Sequence, residues 1–195
     1  MTTEFKIIEE EPKKPMAMHP KKFAMWVFLG SVGMLFAAWT SAYIVRRAEG
    51  NWVYFELPTI FWINTVVILL SSVTMIFAYQ WAKRDELKGL KINLILTVIL
   101  GFAFLIGQVL AARDLIAISA YFTGGNPSSS FVYVLGGVHG VHIISAIIYL
   151  LIILNAAYKN KVNSKNLAPI EMCATYWHFL GGLWLYLFVF LTLYR

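Results

Sequence analysis

The chain has 195 residues, of which 59% are hydrophobic and 13% are charged, and its formal net charge is +6. This composition leaves too little polar surface for a soluble domain and is typical of a helical membrane protein. Five apolar runs take up nearly the whole length, so we expect one domain with no separate catalytic module. The runs cover residues 23–45, 57–81, 92–112, 131–158 and 171–194.

Each run is long enough to cross a bilayer as a helix. A helix that rises ~1.5 Å per residue needs about 20 residues to span roughly 30 Å of hydrocarbon. A soluble bundle would keep a polar stripe on its helices, and the runs at 66–77 and 143–154 have none. Outer-membrane barrels are excluded because ten-residue segments of alternating polarity are absent. We predict an all-α integral membrane bundle of five transmembrane helices over residues 23–195, preceded by an extended tail, residues 1–22.

The basic residues are distributed unevenly, and this predicts the orientation of the bundle. Twelve of the 16 lie in the tail or in the second and fourth connections: Lys6, Lys13, Lys14, Lys21, Lys22, Lys83, Arg84, Lys88, Lys91, Lys159, Lys161 and Lys165. The positive-inside rule therefore places the N-terminus in the cytoplasm and, after an odd number of spans, the C-terminus in the periplasm. The tail lacks the apolar core of a signal peptide. The net charge indicates no nucleic-acid partner, because it follows membrane topology.

Ionisable residues are nearly absent from the middle of the predicted spans. No Asp, Glu, Lys or Arg lies there, and Asp114 and Glu171 lie near span ends. Proton relays, transporters and ion channels usually carry such a residue at depth, so the pattern argues against those functions. The single cysteine, Cys173, excludes an intramolecular disulfide and a cysteine-ligated cluster within this chain.

Three histidines lie within the spans. His139 and His142 are three residues apart and share one helix face, and His178 lies in the fifth span. One interpretation is a haem or metal site, but no carboxylate lies near to complete an open metal site. The other is hydrogen bonding between helices, with Gln108 and Asn64 as further polar partners. We expect these five residues to be structural contacts, with no catalytic, cofactor-binding or metal-binding residue.

Glycines in the fourth span predict a close helix contact. Gly136, Gly137 and Gly140 form a pattern of the GxxxG type, which lets the backbones of two helices approach each other.

Five short motifs, one in each span, point to a known family. They are MWVFL at 25–29, Asn64-Thr65, Gly107-Gln108, GVHGVH at 137–142 and YWHF at 176–179. With these motifs in this order, the chain resembles subunit III of the haem-copper respiratory oxidases, the family of cytochrome c oxidases and quinol oxidases.

The resemblance implies a non-catalytic core subunit of a bacterial inner-membrane oxidase. Subunit III holds no redox centre, and the haem and copper lie in partner subunits. It would pack against subunit I, in a complex that includes subunit II and possibly further respiratory subunits. It would also bind phospholipids and sustain proton uptake and turnover.

The chain departs from the family pattern in ways that bear on these expectations. Many members have seven spans, so this chain resembles the short five-helix bacterial form, with an apolar face that lipid or another chain must cover. Val32 and Ala111 stand where the family has buried glutamates, and the aspartate after YWHF is replaced near Gly181. Three alternatives remain at this stage: a small membrane cytochrome with haem on His142 and His178, a transporter or channel, and a nitric oxide reductase-associated subunit of the same fold.

Overall fold

The chain folds into five helices, each long and apolar enough to cross a membrane, which confirms the predicted fold class. The structure is a computed structural model and describes residues 20–54, 56–118, 120–122, 126–160, 162 and 166–194, among which there is no strand. Most of the predicted tail, residues 1–19, lies outside the described residues. The helices are α1 (Pro20–Ala48), α2 (Ile60–Lys83), α3 (Leu87–Ala117), α4 (Pro127–Tyr158) and α5 (Ala168–Tyr194).

Several helices begin earlier than the apolar runs, because their polar first turns still form helical hydrogen bonds. α4 begins at Pro127, where a proline without an N–H fits the first helical position. The preceding Asn126 caps the helix, since its side chain accepts a hydrogen bond from the Ser128 N–H at 3.1 Å. α3 likewise begins at Leu87, which leaves only residues 84–86 between α2 and α3.

The helices form an up-and-down bundle with α5 at its centre. α5 packs against α1, α2 and α4, and α2 and α3 make the most extensive helix contact. In the most apolar 18-residue stretch of α5, 50% of the residues are buried, whereas in that of α1 only 22% are buried. The backbone of α1 comes close to those of α4 and α5. α1 is therefore the least embedded helix.

The two ends of the bundle differ in charge. α1, α3 and α5 begin at the same end of the bundle, and we call this end the basic end. It carries six basic residues: Lys22, Lys83, Arg84, Lys88, Lys91 and Lys159. At the basic end, Lys22 Nζ of α1 lies 2.7 Å from Glu171 Oε2 of α5. At the opposite end, the Tyr43 hydroxyl donates to the Tyr194 carbonyl at 3.2 Å. α1 and α5 are therefore parallel and joined near both ends.

The glycine face predicted for close packing in α4 does not join two helices of this chain. A Cβ on Gly137 or Gly140 would meet no atom within 4 Å, and one on Gly136 would lie an ordinary 3.8 Å from Gln108 Oε1. The reason is orientation, because this face points out of the bundle, where Val141 is 65% exposed.

Close contact occurs instead at glycines of α3. A Cβ on Gly107 would overlap the Asn64 side chain of α2. A Cβ on Gly101 would lie 2.8 Å from the Trp177 ring of α5. These glycines let α2 approach α3 and let the Trp177 ring of α5 reach the backbone of α3 in the middle of the bundle.

Candidate functional site: a buried polar core

Three of the five predicted polar residues come together inside the bundle. The Asn64 side chain of α2 lies against Gly107 of α3. The next residue, Gln108, lies against Gly136 of α4. His139 lies one turn further along α4 on the same side. Asn64, Gln108 and His139 thus lie inside the bundle where α3 meets α2 and α4, and we call these three residues the polar core.

His139 is enclosed by aromatic rings. Its side chain has no exposed surface, and its ring centroid lies 6.3 Å from that of Phe36, 5.8 Å from that of Phe104 and 5.4 Å from that of Trp184. Neither ring nitrogen has a hydrogen-bond partner among the described residues. The hydrogen bond expected from His139 to another helix is therefore not observed there, and packing against rings of α1, α3 and α5 holds the imidazole.

His142 lies at the contact of α4 with α1 and α5, but its imidazole bonds within its own helix. Nδ1 lies 2.8 Å from the Val138 carbonyl, and since a carbonyl can only accept, Nδ1 carries the hydrogen. The link to α5 uses other atoms. The Tyr176 hydroxyl lies 2.6 Å from Ser145 Oγ and donates to the His142 carbonyl at 3.3 Å. The predicted α4–α5 contact is present, with Tyr176 supplying the polar bridge.

His178 does not join the other histidines. It is half-buried on α5. Within the described part of the chain, His178 makes no hydrogen bond to His142 and no ring contact with it. The three histidines therefore occupy three different environments. In the same part of the chain, no group of three or more His, Cys, Asp or Glu side chains has an arrangement that could hold a metal ion.

Two buried tryptophans make interhelical hydrogen bonds that the sequence analysis does not predict. Trp177 Nε1 donates to Ser71 Oγ at 2.7 Å, and Trp184 Nε1 donates to Thr65 Oγ1 at 3.1 Å. Both bonds join α5 to α2. The signal in the sequence is weak: it consists of hydroxyl residues in one apolar span and tryptophans in another, without any indication that the two spans are neighbours.

A groove between α1 and α4 opens at the end opposite the basic end. Its volume is about 760 Å³, and its walls are mostly apolar. Arg46, which pairs with Glu49 at 3.0 Å, lies at its rim. The lining residues include Ala38, Ser41, Ala42, Val45, Pro127 and Phe131.

Comparison with known proteins identifies the family. A family model described as cytochrome c oxidase subunit III matches residues 16–195. Cytochrome c oxidase subunit 3 of Bacillus sp. (strain PS3) is 27% identical over 173 residues, which cover 86% of this chain and 83% of that protein. The probable quinol oxidase subunit 3 of Staphylococcus saprophyticus is 28% identical, with coverage of 86% and 85%. The probable cytochrome c oxidase subunit 3 of Rickettsia bellii is 32% identical over 85% of this chain and 59% of its own length. This multi-pass membrane protein therefore belongs to the cytochrome c oxidase subunit III family.

Proposed function

We propose that the chain is a non-catalytic subunit of a bacterial inner-membrane oxidase that stabilises the catalytic subunit. The haem and copper centres would lie in partner subunits, and this chain would supply a packed helical surface beside them. The observation that carries the proposal is the match of residues 16–195 to the subunit III family. Its role in electron transport and proton translocation would be indirect, through the integrity of the catalytic neighbour.

The use of polar groups in the bundle supports a structural role. Hydroxyls of Ser71, Thr65 and Ser145 pair with tryptophan or tyrosine side chains of α5. Such bonds fasten helices where lipid offers no alternative partner. The imidazole of His139 packs against three aromatic rings at centroid distances of 5.4–6.3 Å, which supports a packing role for it.

The outer surface offers a place for a catalytic neighbour and for lipid. Gly137 and Gly140 leave α4 without side chains on an exposed face, so that a partner helix could approach its backbone. The groove beside Arg46 has apolar walls that suit an acyl chain. A guanidinium at its rim can bind a phosphate oxygen of a phospholipid headgroup.

The proposal is tested by purifying the chain with its partners. A strain that lacks the gene is complemented with an affinity-tagged copy, and the membranes are extracted in mild detergent. We expect the tagged chain to retain the catalytic oxidase subunit, identified by mass spectrometry, together with its haem spectrum. After the subunits are separated, this chain should show no haem absorption. Oxidase prepared from the deletion strain should lose activity faster during turnover than the complemented enzyme.

Two results would contradict the proposal. Recovery of the chain without a haem-copper catalytic subunit would show that it works elsewhere. A haem absorption band that stays with the separated chain would instead favour the small cytochrome with haem on His142 and His178.

A further inference from the structure

The polar core contains nitrogen atoms that the surrounding residues do not satisfy. Asn64 Nδ2, Gln108 Nε2 and both ring nitrogens of His139 are buried and have no hydrogen-bond partner among the described residues. Asn64 is 2% exposed and His139 is 0% exposed. A buried polar group without a partner is destabilising, and in a bilayer no lipid tail can supply one. Of these side chains, that of Gln108 also lines a cavity, where a small ligand can reach Gln108 Nε2.

The surrounding side chains restrict the ways in which these groups could pair directly. The Asn64 side chain lies against Gly107, where even a methyl group would overlap it. The His139 ring is held between Phe36, Phe104 and Trp184. Reorienting either group would disturb the closest contacts in the bundle, so a small mobile partner fits better than a rearranged side chain.

A cavity of about 70 Å³ lies beside Gln108 of the polar core. It is lined by Phe61, Gln108, Ala111, Ala112, Leu115, Val132, Tyr133 and Gly136. Phe61 is one helical turn from Asn64, and Gly136 is one turn from His139. A water molecule requires a cavity of at least about 10–15 Å³ and two to four polar partners. The cavity is therefore large enough for more than one water.

The polar atoms around the cavity suit water and no charged ligand. The Gln108 amide offers N–H donors. The Tyr133 hydroxyl donates its hydrogen towards the Ala112 and Ala120 carbonyls at 3.1 and 3.0 Å. Its oxygen lone pairs remain available as acceptors. Water can accept from the Gln108 amide and donate to Tyr133.

We propose that this cavity is a binding site for ordered water within the membrane-spanning bundle. Water accepts a hydrogen bond from Gln108 Nε2 and donates one to the hydroxyl oxygen of Tyr133, which lines the same cavity. The cavity extends towards Leu115 and Val132, near the end of α3 and the start of α4. Water therefore enters from the end opposite the basic end. The site does not depend on which complex the chain joins.

The test is a high-resolution cryo-electron microscopy map of the full complex, purified through a tag on this chain. The map must show ordered water elsewhere in the membrane domain. We expect density within hydrogen-bonding distance, about 2.7–3.2 Å, of Gln108 Nε2. In a Gln108→Leu variant that density should be lost or displaced. An empty cavity in the wild-type map, or side chains turned to pair with one another, would overturn the proposal.

Thermal stability gives a second readout that does not need a map. If water is bound, Gln108→Leu removes one of its partners, and the unfolding midpoint should fall by about 2–4 °C, in the range of a single lost hydrogen bond. If the cavity is dry, the same substitution removes an unpaired donor, and the midpoint should rise. Gln80→Leu makes the same chemical change at an exposed position of α2 and is the control. A midpoint for Gln108→Leu above that of the control would contradict the proposal.

Discussion

Trp177 and Trp184 show how single side chains attach the central helix to its neighbour. Each is 1% exposed, and each donates its indole N–H to a hydroxyl of α2. Lipid tails offer an indole N–H no acceptor, so in each case the hydroxyl compensates for burying it. Ser71 and Thr65 therefore serve as acceptors that a purely apolar α2 would lack.

Replacing Ser71 with alanine should destabilise the bundle by about 0.6–1.7 kcal/mol, the range for hydrogen bonds between membrane helices. The physical reason is that Trp177 Nε1 loses the acceptor that lies 2.7 Å away. The measurement is the free energy of unfolding of the purified complex in detergent. Ser72→Ala is a matched control, because Ser72 Oγ makes no hydrogen bond in the described part of the chain.

A double-mutant cycle separates the hydrogen bond from other effects. In a Trp177→Phe background the indole N–H is absent, so Ser71→Ala should cost clearly less there than in the wild type. An equal cost in both backgrounds would mean that Ser71 acts through packing alone.

At the scale of helices, the contact between α2 and α3 depends on Gly107, which has no side chain. Gly107 leaves space for Asn64, and without that space the two helices would have to separate. Glycine within a helix normally costs about 0.5–1 kcal/mol relative to alanine. Here the close approach of Asn64 offsets that cost.

Gly107→Ala should therefore destabilise the bundle despite the better helix propensity of alanine. We expect a loss of about 1–3 kcal/mol, as for overpacking of a close-packed core, measured as a lower unfolding midpoint of the purified complex. Gly182→Ala is the matched control, since it makes the same change at an exposed glycine with no atom within 4 Å of the new Cβ. It should be neutral or slightly stabilising. Equal midpoints for the two variants would show that α2 can move away at no cost.

The number of helices can be predicted from the sequence because the length of each apolar run depends only on neighbouring residues in the chain. Neighbour relations are not local, and helices that are apolar on all sides carry no stripe to mark their inner face. The GxxxG pattern of α4 illustrates the result: Gly137 faces outward, while Gly107 and Gly101 of α3 make the close contacts. The sequence predicts a hydrogen bond from His139 to another helix, but the three rings that enclose it come from three other helices and could not be foreseen.

Helix boundaries differ from the ends of the apolar runs for another reason. Hydrogen-bonded turns continue through polar residues, at which an apolar run ends. The sequence Asn126-Pro127-Ser128 carries a recognisable start signal, an N-cap followed by proline. This signal coincides with the start of α4 at Pro127. At the start of α3, where Glu86 makes no side-chain capping hydrogen bond, no comparable signal exists.

The whole molecule exposes much apolar surface, as expected of a chain surrounded by lipid and partner subunits. Trp26, Met34, Trp62 and Val141 are each more than half exposed. α1 packs on α4 and α5 through one buried face, which also carries polar contacts such as that between the Thr40 and Tyr186 hydroxyls at 2.9 Å. Its free faces need lipid or another chain to cover them.

We expect the charges at the two ends to set the orientation of the bundle in the membrane, and cysteine labelling tests this expectation. The basic end collects Lys22, Lys83, Arg84, Lys88, Lys91 and Lys159, and the opposite end collects Arg46, Arg47 and Arg113. Moving the basic end across the membrane would oppose the positive-inside rule. In a Cys173→Ser background, the exposed positions Lys88 and Glu56 are each replaced by cysteine and treated with a membrane-impermeant maleimide.

In intact cells, Glu56→Cys should be labelled and Lys88→Cys should not, because Lys88 belongs to the basic end and is expected in the cytoplasm. Both should be labelled in lysed membranes, which shows that neither is hidden by a partner. The Cys173→Ser chain alone should remain unlabelled. Labelling of Lys88→Cys in intact cells would reverse the assignment and place the entrance of the proposed water cavity on the cytoplasmic side.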